Sequence, residues 1–154
     1  EWAEDSIADI IYGYGEERYA RRIARGIVEA RAEKPIETSG QLVEIVKNSV
    51  PKGRFNKINP ATKTFQALRI AVNDELGALR EGIAKGFEHL APEGRMAVIS
   101  FHSLEDRIVK EFFRQKKEEG TVTLTTKKPI IPSGTEVKEN PKSRSSKLRI
   151  LVKN

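Results

Sequence analysis

The hydrophobic pattern of this chain changes character near residue 75, and this change limits the choice of fold more than any other feature. Before it, apolar residues recur at three- and four-residue steps, as at Tyr19, Ile23 and Ile27, which is typical of amphipathic helices. After it, helical segments alternate with short runs of β-forming residues. The pattern predicts an all-helical part over residues 1–75 and an α/β part over residues 76–154.

Glycine and proline divide the all-helical part. The pair Gly13 and Gly15 predicts a turn between two helices. Hydroxyl residues before a periodic apolar run predict a third, short helix that ends before Pro51. Residues 52–59 contain glycine, asparagine and three basic residues, and this composition predicts an exposed loop.

A long helix is predicted to follow this loop. Pro60 suits its first turn, and the apolar periodicity runs to about residue 89, with a bend or split expected near Gly77. Asn73 and the two carboxylates after it interrupt the apolar side. Three successive polar residues cannot share one helix face, so we expect one of them to cap or bridge and another to face solvent.

The second part contains three predicted strands. The apolar run over residues 95–101 is rich in β-forming residues and predicts a buried parallel strand. A helix is expected from Ser103 to about residue 117. Residues 121–126 and 147–152 predict two further strands in an antiparallel pair, joined by a proline-rich basic loop.

The junction between the 95–101 strand and the following helix is the strongest candidate site. In open α/β sheets ligands bind at this edge, and His102, Ser103 and Glu105 supply polar groups beside a helix dipole. Helix capping explains the same residues: Ser103 as the cap, Asp106 completing a capping box, and Glu105 complementing the dipole. The residues alone leave both explanations open.

Basic residues outnumber acidic ones by 28 to 22, which gives a net charge of +6. An arginine group in the second predicted helix recurs at three- and four-residue steps, and Glu17 is placed to pair with Arg21. Such a group forms either a solvated face or a phosphate-binding stripe. A second basic group lies near the last strand. It either contacts phosphate or belongs to an exposed hairpin. The arginine group is Arg18, Arg21, Arg22 and Arg25, and the second group is Lys138, Lys142, Arg144, Lys147 and Arg149.

Several classes of function are excluded by composition and spacing. The chain has no cysteine, which removes thiolate nucleophiles, Cys-ligated metals and disulfides. His89 and His102 lie thirteen residues apart and lack a metal-binding spacing, so no metal is expected. No apolar run approaches the about 20 residues of a membrane span. We expect a cytoplasmic protein, and Glu1 in place of methionine suggests a processed chain or a fragment.

Long ungapped stretches of this sequence resemble one family, the RsmH family, also called MraW. Its members are S-adenosylmethionine-dependent methyltransferases that modify N4 of a cytidine in the decoding region of bacterial 16S rRNA. The stretches are IYGYGEERYARRIA (11–24), NPATKTFQALRIAVNDEL (59–76), GRMAVISFHSLEDRIVKEFF (94–113) and NPKSRSSKLRI (140–150).

The resemblance covers only about the second half of the sequence of family members. It implies an α/β fold in which the C-terminal part of a Rossmann-like S-adenosylmethionine-dependent methyltransferase sheet (76–154) is preceded by an all-helical inserted domain (1–75). The glycine-rich loop that holds S-adenosylmethionine belongs to the missing N-terminal half, so no cofactor-binding residue is assigned here. The implied substrate is 16S rRNA in the small ribosomal subunit, and this chain alone is expected to be inactive.

The resemblance also gives weight to particular residues. It implies that the strand end at 100–105 faces cofactor and substrate. The candidate catalytic residues are Ser100, His102 and Glu105. The candidate substrate-binding residues are Asn73, Phe101, Ser103, Arg18, Arg21, Arg22, Arg25, Arg144 and Lys147. A non-catalytic basic RNA-binding or assembly module is the alternative function.

A truncated sheet has an unpaired edge. If the usual methyltransferase order holds, the strand over residues 96–101 pairs with a strand that this chain does not contain. An open apolar edge is a template for association. We therefore expect this chain to pair with the missing half or to self-associate.

Overall fold

The computed structural model describes residues 2–51 and 59–154 and divides the chain into two compact units, Glu1–Glu75 and Leu76–Asn154. Most of the predicted loop at 52–59 lies outside the described residues. The described helices of the first unit are α1 (Glu4–Gly15), α2 (Ala20–Glu33), α3 (Ser39–Ser49) and α4 (Thr62–Asn73). The elements that follow are α5 (Glu75–Glu88), β1 (Arg95–Ser100), α6 (Ser103–Glu118), β2 (Val122–Leu124), α7 (Gly134–Glu139), a 3-10 helix (Pro141–Ser145) and β3 (Lys147–Lys153).

The first unit is a helical bundle in which α1 packs against α2 and α4, and α2 packs against α3. Its core contains the fully buried Ile11 and Ile23, which lie on the apolar faces that the sequence periodicity defines. The predicted third helix is confirmed as α3. Its first turn is fixed by a capping box, in which Thr38 Oγ1 accepts from the Gln41 N–H at 3.2 Å and Gln41 Oε1 accepts from the Thr38 N–H at 2.9 Å.

The break between α1 and α2 is present, but the glycines do not form it. Helix α1 continues to Gly15 and is capped by Glu16, whose left-handed φ of 49° closes the last turn. Gly15 instead allows a close approach of two helices, because a Cβ atom at this position would lie 2.7 Å from the Lys63 carbonyl oxygen of α4. A glycine is therefore needed at position 15, but it is needed for the packing of α1 against α4 and not for a turn.

Gly15→Ala is expected to lower the free energy of unfolding by about 1–3 kcal/mol, because backbone atoms of α1 and α4 must separate to admit the methyl group. Gly13→Ala is the matched control in the same helix, since no atom lies within 4 Å of its added Cβ. This change should be neutral or stabilise by up to about 1 kcal/mol. Urea denaturation followed by circular dichroism measures both. Equal effects of the two substitutions would contradict the packing explanation.

The predicted long helix is split three residues earlier than Gly77. Asp74 adopts a left-handed φ of 47°, so α4 ends at Asn73 and α5 begins at Glu75. Arg69 donates two hydrogen bonds to the Glu75 carboxylate, at 2.7 and 3.0 Å, and Asn73 Nδ2 lies 3.4 Å from the same group. The expected bridging role of this polar cluster is thereby confirmed.

The second unit contains a three-stranded sheet in the order β1-β3-β2, with both pairs antiparallel. The predicted antiparallel pairing of the last two strands is confirmed. The predicted buried parallel strand is wrong: within the described residues, β1 pairs only with β3, antiparallel, and its exposure alternates along the strand. A continuous apolar run is typical of a strand that is buried on both faces. In β1, however, only one face packs inward, and Ile99 on the opposite face is 58% exposed.

The sheet and helix α6 enclose the second core. The fully buried Leu151 of β3 packs with Val109 and Phe113 of α6 and with Phe87 of α5. Phe87 also meets Phe112 edge to face, with ring centroids 5.8 Å apart. These contacts fix α6 across the sheet and so determine where its first turn lies.

The predicted loop between β2 and β3 contains two short helices, so its prediction as irregular structure is wrong. Ser133 Oγ accepts from the Glu136 N–H at 3.1 Å and caps α7. Pro141 then opens the 3-10 helix. Proline and serine are common in loops, but here Ser133 and Pro141 begin helices.

The last residues of β3 are tied to other elements. Lys153 Nζ donates to the carbonyl oxygens of Leu90 and Phe87, at 2.7 and 3.3 Å, beside the end of α5. Asn154 Nδ2 donates to the Gly120 carbonyl oxygen at 2.8 Å. A lysine at this position adds a charged donor to carbonyl oxygens at and just after a helix end.

Candidate functional site

The candidate site lies where β1 ends and α6 begins. His102, and not Ser103, is the N-cap of α6: its Nδ1 accepts from the Glu105 N–H at 3.3 Å. Glu105 Oε2 accepts in return from the Phe101 N–H at 2.8 Å and the His102 N–H at 3.3 Å. The predicted capping by Ser103 and Asp106 is therefore wrong. Local sequence does not indicate a histidine cap, because N-caps are mostly hydroxyl, amide or carboxylate side chains.

The rest of the His102 ring is enclosed. Because Nδ1 accepts a hydrogen bond, a neutral ring carries its proton on Nε2. That nitrogen is buried and has no hydrogen-bond partner in the described part of the chain, although Glu105 Oε1 lies 3.4 Å away. The His102 side chain is only 11% exposed. Its role in this structure is to hold the strand–helix turn.

Asp106 forms a buried charge cluster directly beneath this turn. Its carboxylate accepts from Arg149 Nε at 2.7 Å, from Arg149 Nη2 at 3.2 Å and from Lys147 Nζ at 3.1 Å. Burial alone would raise the pKa of Asp106, but the hydrogen bonds and charges of Arg149 and Lys147 outweigh it and hold that pKa below 3.8. The cluster joins α6 to β3 and fixes the base of the site.

The sequence contained a signal for this cluster. Lys147 and Arg149 are two residues apart on a strand, so both side chains lie on one sheet face. Opposite them in β1 are Ser100 and Val98, on the face that α6 covers. The partner of the two cations could not be read from spacing, because Asp106 lies 41 and 43 residues away.

Several predicted residues are brought together at this edge, with different degrees of exposure. Ser100 is buried, and its Oγ lies 3.4 Å from the Lys147 carbonyl oxygen. Phe101 is 54% exposed, and 24% of the Glu105 side chain remains accessible. Ser103 is exposed in the first turn of α6, and Arg144 is exposed in the 3-10 helix that precedes β3.

The arginine group and Asn73 lie in the first unit. Arg21, Arg22 and Arg25 are exposed on α2, whereas Arg18 precedes the helix. Arg25 lies 3.8 Å from Glu4 of α1. The predicted pair of Glu17 and Arg21 is wrong for the described residues, because the buried Glu17 accepts instead from the Tyr19 N–H at 3.0 Å.

Residues 2–51 and 59–154 contain neither a metal-binding cluster nor a helix suited to span a membrane. In that part of the chain, no three His, Asp or Glu side chains group closely enough to hold a metal ion. Nor does any helix there have the length and apolar character needed to cross a membrane.

Comparison with known proteins shows the family. The model of the MraW methylase family matches residues 1–154. The chain is 53% identical over 151 residues to ribosomal RNA small subunit methyltransferase H of Coprothermobacter proteolyticus, which covers 98% of the chain and 50% of the relative. It is 56% identical over 147 residues to the protein of that name from Deinococcus radiodurans, covering 96% of the chain and 46% of the relative.

The model of a methylase family thus matches the whole of this mixed α/β chain, including its polar strand–helix junction. The chain belongs to the MraW methylase family. It spans about half the length of the curated relatives it matches. The predicted family and its partial coverage are both confirmed.

Proposed function

We propose that this chain is the helical and C-terminal half of an S-adenosylmethionine-dependent methyltransferase that modifies N4 of a cytidine in the decoding region of 16S rRNA. The observation that carries the proposal is the family match over residues 1–154, with relatives named for methylation of small-subunit ribosomal RNA. In this proposal the first unit is the substrate-side inserted domain. The second unit is the C-terminal part of the catalytic sheet.

The chemistry of the target atom gives the strand end its proposed role. Cytosine N4 is conjugated with the ring and weakly nucleophilic, so it must be oriented and must donate a hydrogen bond or proton during transfer. The exposed Phe101 ring offers a stacking surface for a flipped base. Glu105 Oε1 is the carboxylate oxygen not used by the Phe101 and His102 N–H groups, and we assign it as the acceptor for N4.

The other candidates support this arrangement. Ser100 and His102 act as positioning residues, because one is buried and the other is committed to the capping box. Ser103 and Asn73 are proposed to contact the substrate. The proposed phosphate contacts are Arg18, Arg21, Arg22, Arg25, Arg144 and Lys147.

The described residues of this site do not fit a complete S-adenosylmethionine pocket. His102 Nδ1 and Glu105 Oε2 are occupied by backbone N–H groups. One remaining carboxylate oxygen cannot hold a ribose, an adenine and an amino-acid group together. We propose that the cofactor is bound mainly by the half of the family's sequence that this chain does not span.

The same proposal gives the outer edge of β1 a partner. Among the described strands, β1 pairs only with β3, and Ile99 and Phe101 near its end are more than half exposed. An open strand of this kind pairs readily with another strand. We propose that this edge pairs with the missing half or with a second copy of this chain.

The test compares this chain alone with a version extended at its N-terminus to the length of the relatives. Calorimetry with S-adenosylmethionine and methyl transfer to small ribosomal subunits should both be positive only for the extended protein. Glu105→Gln in that protein should lower kcat by about 100-fold or more. Ser145→Ala, at an exposed site in the 3-10 helix, is the control. RNA binding by an extended protein that transfers no methyl group would favour the RNA-binding module.

A further inference from the structure

A cleft between α1 and α2 contains Arg18 and Arg21, two of the proposed phosphate contacts. It encloses about 350 Å³, which is within the size range of small-molecule sites. Its walls combine an aromatic ring, two cations and one carboxylate. The lining residues are Ala8, Asp9, Tyr12, Arg18, Ala20 and Arg21.

One of the cations is held in place before any ligand arrives. Arg18 Nη2 donates to Tyr19 Oη at 2.7 Å, and its guanidinium carbon lies 4.8 Å from the centroid of the Tyr19 ring. Stacking and hydrogen bonding together restrict the side chain. Arg18 is therefore oriented at low entropic cost for an anion that enters the cleft.

The other two charged groups face the cleft without partners. Within residues 2–51 and 59–154, the side chains of Asp9 and Arg21 form no hydrogen bond or ion pair, although both line the same cleft. A ligand that carries both an anion and N–H donors would satisfy the two groups at once. An acidic peptide would satisfy Arg21 but would be repelled by Asp9.

The aromatic ring supplies the third element. Tyr12 is 67% exposed, and it follows the fully buried Ile11 on α1, so its ring lies off the packed face of the helix. Base–aromatic stacking contributes substantially to binding of unpaired RNA and accepts any base. A nucleotide provides all three complements: a base face, N–H groups at the base edge and a phosphate.

We propose that this cleft binds an unpaired nucleotide of the RNA substrate, with its base on Tyr12, its base-edge N–H groups on Asp9 and its phosphate on Arg18 and Arg21. The inference rests on the proposed function and adds a subsite for a nucleotide other than the methylated one. This subsite anchors RNA through the helical unit, independently of the strand end.

The test measures binding of a labelled unpaired RNA strand to the full chain by fluorescence anisotropy. Tyr12→Ala should raise Kd by about 5- to 100-fold, and Tyr12→Phe should leave it within about twofold, because the stacking surface remains. Glu29→Gln, at an exposed position of the same helix outside the cleft, should leave Kd within about twofold. Circular dichroism checks that each variant is folded.

A strand that carries no bases completes the test. If a base occupies the cleft, the effect of Tyr12→Ala should disappear for this abasic strand, which keeps its phosphates. Equal Kd values for the wild type and Tyr12→Ala with the unmodified strand, or an equal loss for both strands, would overturn the subsite. Tighter binding of a polyglutamate peptide than of RNA would also overturn it. Loss of methyl transfer by the extended protein with the subsite intact would instead reject the proposed function.

Discussion

Asp106→Ala is expected to lower the free energy of unfolding of the second unit by about 3–5 kcal/mol, because it leaves the Arg149 guanidinium buried without a counter-charge. The Arg149 and Asp106 side chains are only 13% and 12% exposed. Amide hydrogen exchange in β3 measures the stability of the second unit separately from that of the first. Glu118→Ala is the control, since its ion pair with Arg114 is 3.7 Å long and lies at the surface, and it should cost less than about 1 kcal/mol.

The same carboxylate gives this stability a defined pH dependence. The folded-state pKa of Asp106 lies below 3.8, so the group contributes stability above its unfolded pKa and loses it as the pH falls through the folded value. The stability difference between the wild type and Asp106→Asn should therefore be constant near neutral pH and shrink in acid below about 3.8. A difference that stays constant into strong acid would exclude Asp106 as the titrating group.

Replacing all four arginines of the arginine group with glutamine is expected to weaken binding of unpaired RNA by about 100-fold at about 0.1 M salt. Each lost phosphate contact lowers the slope of log K against log salt by about 0.7, so the slope should fall by about 3. Anisotropy titrations over a range of salt concentrations measure this slope. The positions are Arg18, Arg21, Arg22 and Arg25.

The control removes four positive charges from elsewhere on the surface. If the arginine group is a phosphate-binding stripe, the control variant should keep most of the salt slope of the wild type. If the group is only a solvated face, both variants should lose the same amount, since only the net charge would matter. The control positions are Lys110, Lys117, Lys127 and Lys128, all of which are exposed.

The sequence located α6 well but not its cap. Its apolar spacing and first-turn carboxylates define a helix near 103–117, and the structure has Ser103–Glu118. Which residue becomes the cap depends on where β1 stops, and that point is set by the Ser100–Lys147 pairing across the sheet. Local propensity favoured Ser103, whereas strand register selected His102.

The features that the sequence could not reveal all depend on distant residues. Asp106 was interpreted as a capping group because its partners lie more than forty residues away. Gly15 was interpreted as a turn residue because the Lys63 carbonyl that restricts it belongs to another helix. In both cases the residue type was informative, but its partner became known only from the packing.

The contacts of Lys153 also bear on how the second unit comes apart. Its ammonium group bridges the end of β3 to the carbonyl oxygens beside the end of α5. Fraying of the last strand therefore removes the ammonium donor from the carbonyl oxygens of Phe87 and Leu90, at the end of α5 and just after it, more than sixty residues earlier in the chain. The terminal strand is thus prevented from peeling away as an independent segment, and its loss is coupled to melting of the helix end in one cooperative step.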